Sequence, residues 1–316
     1  MGAEQFKSFV RGYGVKANDM TGPTKILATG FVLLLFAAGV YSWLRNRQAR
    51  ATGPLVYHDY VVAKPSAATP PGGTSPLPGT DSSLAAAAMD KKNADTVPML
   101  RAGEVLDYTA NVSKLNEVAT LRLLVAGRGN LAGKPSWHLQ AIAHTQNPLR
   151  MVFELDDQFD SYSDAATLAS LQYEMHLSER GQKVQSVQRM SSSGKEPAPN
   201  DGSIARVLPG TRDPLGMMQY LRTVDWAKTP QVRSPVYDGR RLYDVRASLA
   251  AEAEPVSVPA GKFTATKIEI KVFDNGAELK DSHFALYLDT KPARTPVLLE
   301  AVLPFAVATV ELQSAK

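Results

Sequence analysis

The sequence predicts a mainly β protein: one antiparallel curved sheet or half-barrel with an inserted helix, preceded by a transmembrane helix near the N-terminus. Three features predict this organisation. From Glu104 onward apolar residues recur at every second position, the period of a strand with one buried face. A short segment after Asp213 is apolar on nearly every side, and residues 26–44 carry no charge. We therefore expect one anchored β domain at residues 100–316.

The strands are predicted from alternation and from the turn residues between the runs. Residues 267–272 alternate polar and apolar, residues 274–276 read Asp-Asn-Gly as in many hairpin turns, and residues 282–288 resume the alternation. Further strands are predicted at 104–112, 117–126, 136–145, 152–162, 170–178, 182–190, 240–249, 295–303 and 306–313. Because no strand alternates with a ten-residue helix, a parallel α/β sheet is not expected.

One helix is predicted inside the β domain. Asp213 has the side chain of an N-cap, Pro214 suits the first helical position, and good helix formers fill residues 215–224. Its apolar residues lie on nearly every side; they are Leu215, Met217, Met218, Tyr220, Leu221 and Val224. A helix that is apolar all round is normally buried. We therefore expect this helix to lie in the concavity of the curved sheet.

Residues 26–44 are predicted to cross a membrane. As a helix, these nineteen uncharged residues just span a hydrocarbon core of about 30 Å. Tyr41 and Trp43 lie at one end, where aromatic rings favour the headgroup region. The alternatives are a cleaved signal peptide and a buried core helix. The full-length apolar run after a leader of twenty-five residues favours an anchor.

The anchor divides the chain into four parts. We expect a cytoplasmic tail at 1–25, the transmembrane helix at 26–44, a juxtamembrane segment and flexible linker at 45–99, and the β domain at 100–316. Residues 63–99 are rich in Pro, Ala, Ser, Thr and Gly, a composition that buries too little apolar surface to offset chain entropy. Basic residues flank the anchor almost equally, so charge alone does not orient it.

The basic excess of the chain is confined to its membrane-flanking part. Residues 1–100 carry ten Lys/Arg and six Asp/Glu, whereas residues 101–316 carry twenty-five of each. A nucleic-acid-binding domain needs a basic face to neutralise phosphates, so no nucleic-acid partner is expected. The absence of cysteine excludes disulfides, thiolate metal sites and a cysteine nucleophile.

An acidic run is the strongest candidate for a metal site, because hard cations bind several carboxylates. Its acids are Asp156, Asp157, Asp160 and Asp164. In a calcium loop that begins at Asp156, Ser161 would stand where glycine is needed and Thr167 where the bidentate Glu belongs. We therefore expect a solvated strand edge and turn here, with no metal ion.

No catalytic arrangement is predicted. His138, His144, His176 and His283 are isolated in the sequence and lack the spacing of zinc ligands, so each is expected on the surface or on a sheet face. No serine lies in a GxSxG turn, and no glycine-rich loop opens a helix after a strand. We therefore expect neither enzymatic activity nor a cofactor.

Five short segments occur in an order and spacing that resemble one family. They read DDQFDSY at 156–162, LPGTRDPL at 208–215, YLR at 220–222, VPAGKF at 258–263 and LPF at 303–305. The set resembles the bacterial envelope family known as domain of unknown function 3108, over about residues 100–314. Ala306 departs from the pattern, which has Gly there. The resemblance implies a secreted or periplasmic β protein, similar in outline to the half-barrels that carry lipoproteins between membranes, and it implies no activity.

Together, these features predict a single-pass protein of the bacterial inner membrane with its β domain in the periplasm. We expect the β domain to bind a hydrophobic ligand, such as a lipid, or an apolar segment of an envelope partner. The alternative is a structural or scaffolding subunit of an envelope complex, with no small ligand. The candidate ligand contacts lie on the helix and are Met217, Met218, Tyr220, Leu221 and Arg222. Arg222 could hold an anionic headgroup, or it could contact carbonyls or a local acid at the helix end.

Overall fold

A computed structural model describes residues 100–151, 153–179, 181–192, 204–280, 283–303 and 306–316 of the chain. The predicted tail at 1–25, transmembrane helix at 26–44 and linker at 45–99 lie outside the described residues, so they stay predictions. Among the residues described, no helix has the length and apolar character needed to cross a membrane.

Strands make up most of the described chain. They are β1 (Val105–Val112), β2 (Leu115–Leu131), β3 (Lys134–Thr145), β4 (Asp156–Asp164), β5 (Ser170–Glu179), β6 (Gln182–Ser191), β7 (Ile204–Arg206), β8 (Gln231–Tyr237), β9 (Leu242–Val258), β10 (Gly261–Asp274), β11 (Ala277–Glu278), β12 (His283–Asp289), β13 (Pro296–Leu303) and β14 (Ala306–Ala315). One α-helix, α1 (Pro214–Thr223), lies between β7 and β8, and a 3-10 turn spans Leu149–Met151. The fold is therefore mainly β, as predicted.

The described strands form a single sheet. Its order is β7-β6-β5-β4-β3-β2-β1-β14-β13-β12-β10-β9-β8, with β11 paired to β10. Neighbouring strands pair antiparallel except β6 and β7, which pair parallel. The first and last strands, β1 and β14, are neighbours in the middle of this order. Strand pairing does not close the sheet, since β7 and β8 are its two ends.

Alternation places one face of each long strand in a shared core. On β1, Leu106, Tyr108 and Ala110 are buried, and the residues between them are half-buried. The same pattern on β10 buries Ile268 and Ile270. Buried apolar side chains from each of the long strands except β6 belong to one continuous cluster. One sheet face therefore forms the core, as period-two sequences require.

A segment without regular structure links the two halves of the sheet. The N–H of Ser170, at the start of β5, donates to the carbonyl of Thr211 at 2.9 Å. On the other side, the Arg212 N–H donates to Pro235 O at 3.0 Å, and the Tyr237 N–H donates to Arg212 O at 2.8 Å. Residues 211–212 therefore bridge β5 to β8, two strands far apart in the sheet order.

Helix α1 lies against the inner face of the sheet and contacts strands far apart in the sheet order. It contacts β3 and β4 on one side and β8 on the other, and most of its residues are buried. The sheet must therefore curve around it. The predicted inserted helix is confirmed, whereas the half-barrel description stays a prediction.

Every predicted strand overlaps an observed one, but three strands were missed. β7 and β11 are very short, and β8 contains Pro235, which lacks the N–H of a regular strand residue. β8 lies at one end of the sheet order, where that loss is tolerated. The prediction at 240–249 also fell short of β9, which continues to Val258 through an Ala- and Glu-rich stretch.

Candidate functional site

The N-terminus of α1 is fixed by a buried carboxylate. Asp213 is the N-cap, and its Oδ1 accepts from the Gly216 N–H at 2.9 Å. Its other oxygen, Oδ2, accepts from the hydroxyls of Ser161 on β4 and Ser170 on β5, each at 2.5 Å. Burial raises the pKa of Asp213, while these hydrogen bonds act in the opposite direction. Asp213 therefore does more than cap the helix, because hydrogen bonds from two serines distant in sequence also attach it to the sheet.

This side of α1 also approaches the sheet closely. A Cβ added at Gly216 would lie 2.9 Å from Ser163 Oγ and 3.1 Å from the carbonyl oxygen of Leu168. Both distances are shorter than ordinary van der Waals contacts with a side chain. A larger residue would therefore push the helix away from β4.

The other end of α1 is held by an ion pair. The Arg222 guanidinium donates to both carboxylate oxygens of Glu104, at 2.8 Å each. It also donates to Gln219 Oε1 at 2.7 Å and to the Ala293 carbonyl at 3.0 Å. The Arg222 side chain is only 4% exposed. Arg222 is thus engaged within the chain, and a ligand headgroup could reach it only after the pair with Glu104 separated.

A partly open apolar pocket lies on the remaining side of the helix. Three helix residues spaced along one stripe contribute to it: Pro214, Met217 and Leu221. The facing wall comes from β8, β9, β10, β12 and β13 and includes Val236, Val245, Ile270, Val272, Leu286 and Leu299. The cavity measures about 60 Å³. This is room for a few carbon atoms, since cavities of roughly 150 Å³ are known to hold benzene.

An acid lies at the edge of this apolar pocket. Asp238, in the turn between β8 and β9, is among its lining residues and only 3% exposed. Its Oδ1 accepts from the backbone N–H groups of Arg240 and Arg241, each at 2.7 Å. Its Oδ2 is buried and has no hydrogen-bond partner among the described residues. Such an oxygen loses its hydration without a replacement.

The five helix residues predicted to contact a ligand do not all meet at this pocket. Met217 and Leu221 line it, whereas Met218, Tyr220 and Arg222 are not among its lining residues. Met218 is fully buried. The Tyr220 ring lies under the Arg212 guanidinium, 3.6 Å from its centroid. Ligand binding by any of the five residues stays a prediction, but only Met217 and Leu221 border the pocket.

Three buried acids surround Tyr173 on β5. Burial raises the pKa of that phenol, and the charges of Asp213, Asp238 and Asp157 act in the same direction. Burial raises the pKa of Asp157 to about 7, and the nearby Glu179 contributes, although a hydrogen bond from the Ser178 N–H opposes the shift. Burial also raises the pKa of Asp238, against two backbone hydrogen bonds. We therefore expect the stability of this end of the core to depend on pH.

The acidic run does not converge on one point. Alternation along β4 buries Asp157 on the inner face, whereas Asp156 and Asp164 are part-exposed on the outer face. The Arg150 hydrogen bond holds the pKa of Asp156 at about 2, and Asp164 accepts from the Thr167 N–H in the following turn. Among the residues that the structure describes, no group of three His, Asp or Glu could hold a metal ion.

The histidines have partners that the sequence did not reveal. His138 Nε2 lies 2.7 Å from Asp160 Oδ1, and the His138 ring stacks on Tyr162 at 4.6 Å between centroids. His144 Nδ1 lies 2.7 Å from Asp156 Oδ1 across the same pair of strands. These contacts lie on the outer face of β3 and β4, where antiparallel register brings the residues together. They pair residues on the sheet surface and add nothing to the pocket.

The hydroxyls nearest to a carboxylate are not arranged for nucleophilic catalysis. Ser161 and Ser170 both donate to Asp213, and all three residues are buried. An activated serine needs a base that accepts its proton while a substrate lies within reach. Here Asp213 caps the helix instead. The hydrogen bonds of the two serines therefore stabilise the start of the helix.

The family that the five short sequence segments resemble can now be compared with a match over the whole β domain. A family model described as "Protein of unknown function (DUF3108)" matches residues 107–313, from β1 to β14. The chain belongs to the DUF3108 family. This confirms the resemblance and locates two of its segments in the DUF3108 domain: residues 208–215 bridge the sheet and cap α1, and residues 258–263 form the hairpin between β9 and β10. A comparison with curated proteins found no match.

Solved structures similar to the DUF3108 domain share little sequence with it. One is a β-barrel-like protein of domain of unknown function 1849 from Brucella abortus, with 12% identity and a TM-score of 0.46, covering 70% of this chain and 98% of that one. A candidate lipoprotein from Parabacteroides distasonis has 12% identity and a TM-score of 0.35, covering 70% and 99%. A candidate exported protein with a YmcC-like fold from Bacteroides fragilis has 10% identity and a TM-score of 0.33, again covering 70% and 99%.

Proposed function

We propose that this DUF3108 protein is a non-catalytic, membrane-anchored protein of the bacterial cell envelope. In this proposal, residues 26–44 anchor the chain in the inner membrane, and the linker at 45–99 carries the β domain into the periplasm. The pocket beside α1 receives a small apolar group, either the end of a hydrophobic ligand or a side chain of an envelope partner. The sequence of the anchor and the family membership support the envelope location.

The observation that carries the binding proposal is the unequal packing of α1. A helix with apolar residues on two sides needs two apolar neighbours. On the pocket side, Met217 and Leu221 face strand residues across a partly open space of about 60 Å³. Protein interiors are otherwise close-packed, and apolar pockets are common ligand sites. The size of the space limits the occupant to a short alkyl group.

A second candidate function, scaffolding without a small ligand, has its own support. Both ends of α1 are fixed by buried hydrogen bonds, at Asp213 and at Arg222. Met218 and Leu221 have no exposed surface. In this second function, the firmly held helix stiffens the sheet, and another surface of the domain docks on an envelope complex. The two functions differ in whether the pocket takes up an apolar probe.

Methionine methyl groups allow that difference to be measured at the pocket itself. The full-length chain, in nanodiscs of zwitterionic lipid and labelled with ¹³C at its nine methionine methyls, would be titrated with 1-butanol. Met217 lines the pocket and Met218 does not. We expect the Met217 methyl signal to shift saturably, with a dissociation constant of about a millimolar for so small a ligand, while the Met218 signal stays unchanged.

A pocket-filling variant supplies the control. Val272 lines the pocket and is half-buried, so Val272→Phe should occupy the space without overpacking a closed core. The Met217 response to 1-butanol should then disappear. A wild-type chain in which neither methyl responds would remove the binding proposal and leave scaffolding.

A further inference from the structure

Two glycines inside β2 have no structural explanation in the fold. Every other glycine that the structure describes has a positive φ or, at Gly216, lies too close to its neighbours to carry a side chain. Gly127 and Gly129 have neither property, and a Cβ added at either position would have nothing within 4 Å. Glycine weakens a strand, and it often marks a place where a ligand approaches the backbone. These two positions leave open surface on β2.

Gly127 lies beside an aromatic ring on the outer face of the sheet. It is the register partner of His138 on β3, so the two side-chain positions lie on the same face. On the opposite side, the His138 ring stacks on Tyr162 of β4, at 4.6 Å between centroids and 7° between the planes. The second face of the ring is therefore turned toward β2, where Gly127 has no side chain to cover it. The His138 side chain is 33% exposed, so a flat ligand can stack on it.

The orientation of this ring is fixed by a carboxylate beneath it. The Asp160 side chain is only 6% exposed, and its Oδ1 lies 2.7 Å from His138 Nε2. The side-chain amides of Gln140 and Gln158 donate to the same carboxylate, at 2.9 and 2.7 Å. Burial alone would raise the pKa of Asp160, but these hydrogen bonds hold it below its ordinary value. An ionised carboxylate only accepts, so Nε2 carries the proton and Nδ1 is an acceptor. A ligand therefore meets a ring that is already oriented.

The polar groups around the ring suit hydroxyls better than charges. The acids of this face already accept hydrogen bonds from neighbours: Asp160 as described, Asp156 from Arg150, and Glu174 from Gln172. A cationic ligand would have to displace these neighbours. The amide oxygens and the imidazole nitrogen accept hydrogen bonds from hydroxyls, and the phenol can donate as well. A pyranose ring combines an apolar C–H face, which stacks on an aromatic ring, with hydroxyls along its rim.

We propose that the outer face around Gly127 and His138 binds a neutral glycan, with one pyranose ring stacked on His138 above Gly127. A chain with β-1,4 links extends as a flat ribbon, so a second ring can lie over Gly129. The pocket beside α1 lies on the inner face of the sheet. The glycan site and the proposed function are therefore independent of each other.

The test follows histidine signals while a sugar is added. The probe is chitohexaose, a soluble, neutral, β-1,4-linked hexamer of N-acetylglucosamine. The full-length chain, in nanodiscs of zwitterionic lipid and labelled with ¹³C at Cε1 of its five histidines, would be titrated at pH 8. We expect the His138 signal to shift saturably, with a dissociation constant of about a millimolar. The signal of His283, which is exposed on the distant strand β12, should stay unchanged.

Two matched variants locate the stacked ring. Both Gly127→Val and Gly129→Val should be at least as stable in urea as the wild type, because valine suits a strand and neither position is crowded. Gly127→Val covers the free face of His138, so chitohexaose should bind at least about tenfold more weakly, the loss expected for one stacked ring. Gly129 faces Ser136 and no ring, so Gly129→Val should weaken binding by about twofold at most.

Three results would overturn the inference. They are a His138 signal that does not respond to chitohexaose, a response at His283 as large as at His138, and an equal loss of binding in Gly127→Val and Gly129→Val. None of them touches the proposed function, because the Met217 response to 1-butanol is measured separately. That response should be the same in Gly127→Val as in the wild type.

Discussion

On the β4 and β5 side of α1 the contacts with the sheet are polar and close, whereas on the β8 to β13 side they are apolar and leave a pocket. Ser161 and Ser170 reach the N-cap carboxylate at 2.5 Å on the first side. On the second side Met217 and Leu221 border about 60 Å³ of space. The difference shows which interactions position the helix. Hydrogen bonds fix its ends, so packing on the pocket side is free to vary.

The two sides also differ in what a substitution leaves behind. Loss of a buried hydrogen-bonding group leaves unsatisfied partners, whose cost is high because water cannot replace them. Loss of apolar contact next to an existing pocket merely enlarges the space. Substitutions on the polar side should therefore be more damaging than those on the pocket side.

Removal of the N-cap carboxylate should have the largest effect. Asp213→Ala leaves the hydroxyls of Ser161 and Ser170 without their acceptor, so the free energy of unfolding should fall by about 4 kcal/mol. Urea denaturation of the full-length chain in detergent, followed by near-UV circular dichroism, measures the loss. The control is Asp225→Ala, whose acid is 44% exposed beside Lys228 and whose loss should leave the free energy of unfolding almost unchanged. Equal stability of the two variants would contradict the polar anchoring of α1.

The ion pair at the other end of the helix should rank second. Glu104→Gln leaves the Arg222 guanidinium buried without its counter-charge, at a cost of about 3 kcal/mol. The same denaturation measurement applies. Asp107→Asn is the matched control, since Asp107 pairs with Arg122 on the surface, where the two side chains are 26% and 55% exposed. Its cost should stay within about 1 kcal/mol, and a similar cost for Glu104→Gln would mean that the buried pair adds no stability.

Local signals in the sequence were enough for part of this arrangement. Alternation predicted the strands because period two is a property of consecutive residues. Asp213-Pro214 predicted the start of α1 because helix capping depends on neighbouring residues. The side of the helix that meets a pocket is not local. Met217 and Met218 are alike in sequence, and only the path of the sheet around α1 separates them.

The acidic end of the pocket could not be predicted for a related reason. Asp238-Gly239 reads as an ordinary turn on the surface. Its burial follows from the packing of that turn on Met175, sixty-odd residues earlier in the chain. His138 and Asp160 likewise meet only through the register of β3 and β4. In each case the decisive contact joins residues that are far apart in sequence, and no local pattern encodes it.

Raising the pH should lower the free energy of unfolding, because a buried acid on β4 must then ionise. Burial raises the pKa of Asp157 from its ordinary value of 3.8 to about 7 in the folded chain, so the folded state binds more protons between these values. Stability should then decline as pH rises from about 4 to about 7, with a ceiling near 4 kcal/mol and an expected size of about 2 kcal/mol after local relaxation. Asp157→Asn should flatten that decline in urea denaturation curves recorded across this range.

Two features of the pH experiment make the result specific. Asp213 and Asp238, whose pKa values are also raised, act in the same direction and remain in the variant, so a reduced slope should persist. Asp156 is the control, because its pKa is lowered to about 2 and its effect lies at lower pH. Asp156→Asn should leave the slope between pH 5 and 7 unaltered. An unchanged slope in Asp157→Asn would show that this carboxyl ionises freely.

The smallest predicted effect is the difference in stability between the alanine variants of two neighbouring methionines. Met218 is 0% exposed and lies away from the pocket, so Met218→Ala opens a new cavity at a cost of about 3 kcal/mol. Met217→Ala removes the same atoms beside an existing space and should cost about 1 kcal/mol less. It should also enlarge the pocket, so that 1-hexanol binds more tightly to Met217→Ala than to the wild-type chain while its binding to Met218→Ala is unchanged. Isothermal titration calorimetry measures this binding, because the Met217→Ala variant lacks the methyl group that reports on the pocket. Equal costs and equal hexanol binding in the two variants would mean that α1 has no loosely packed side, and the contrast between its two sides would not hold.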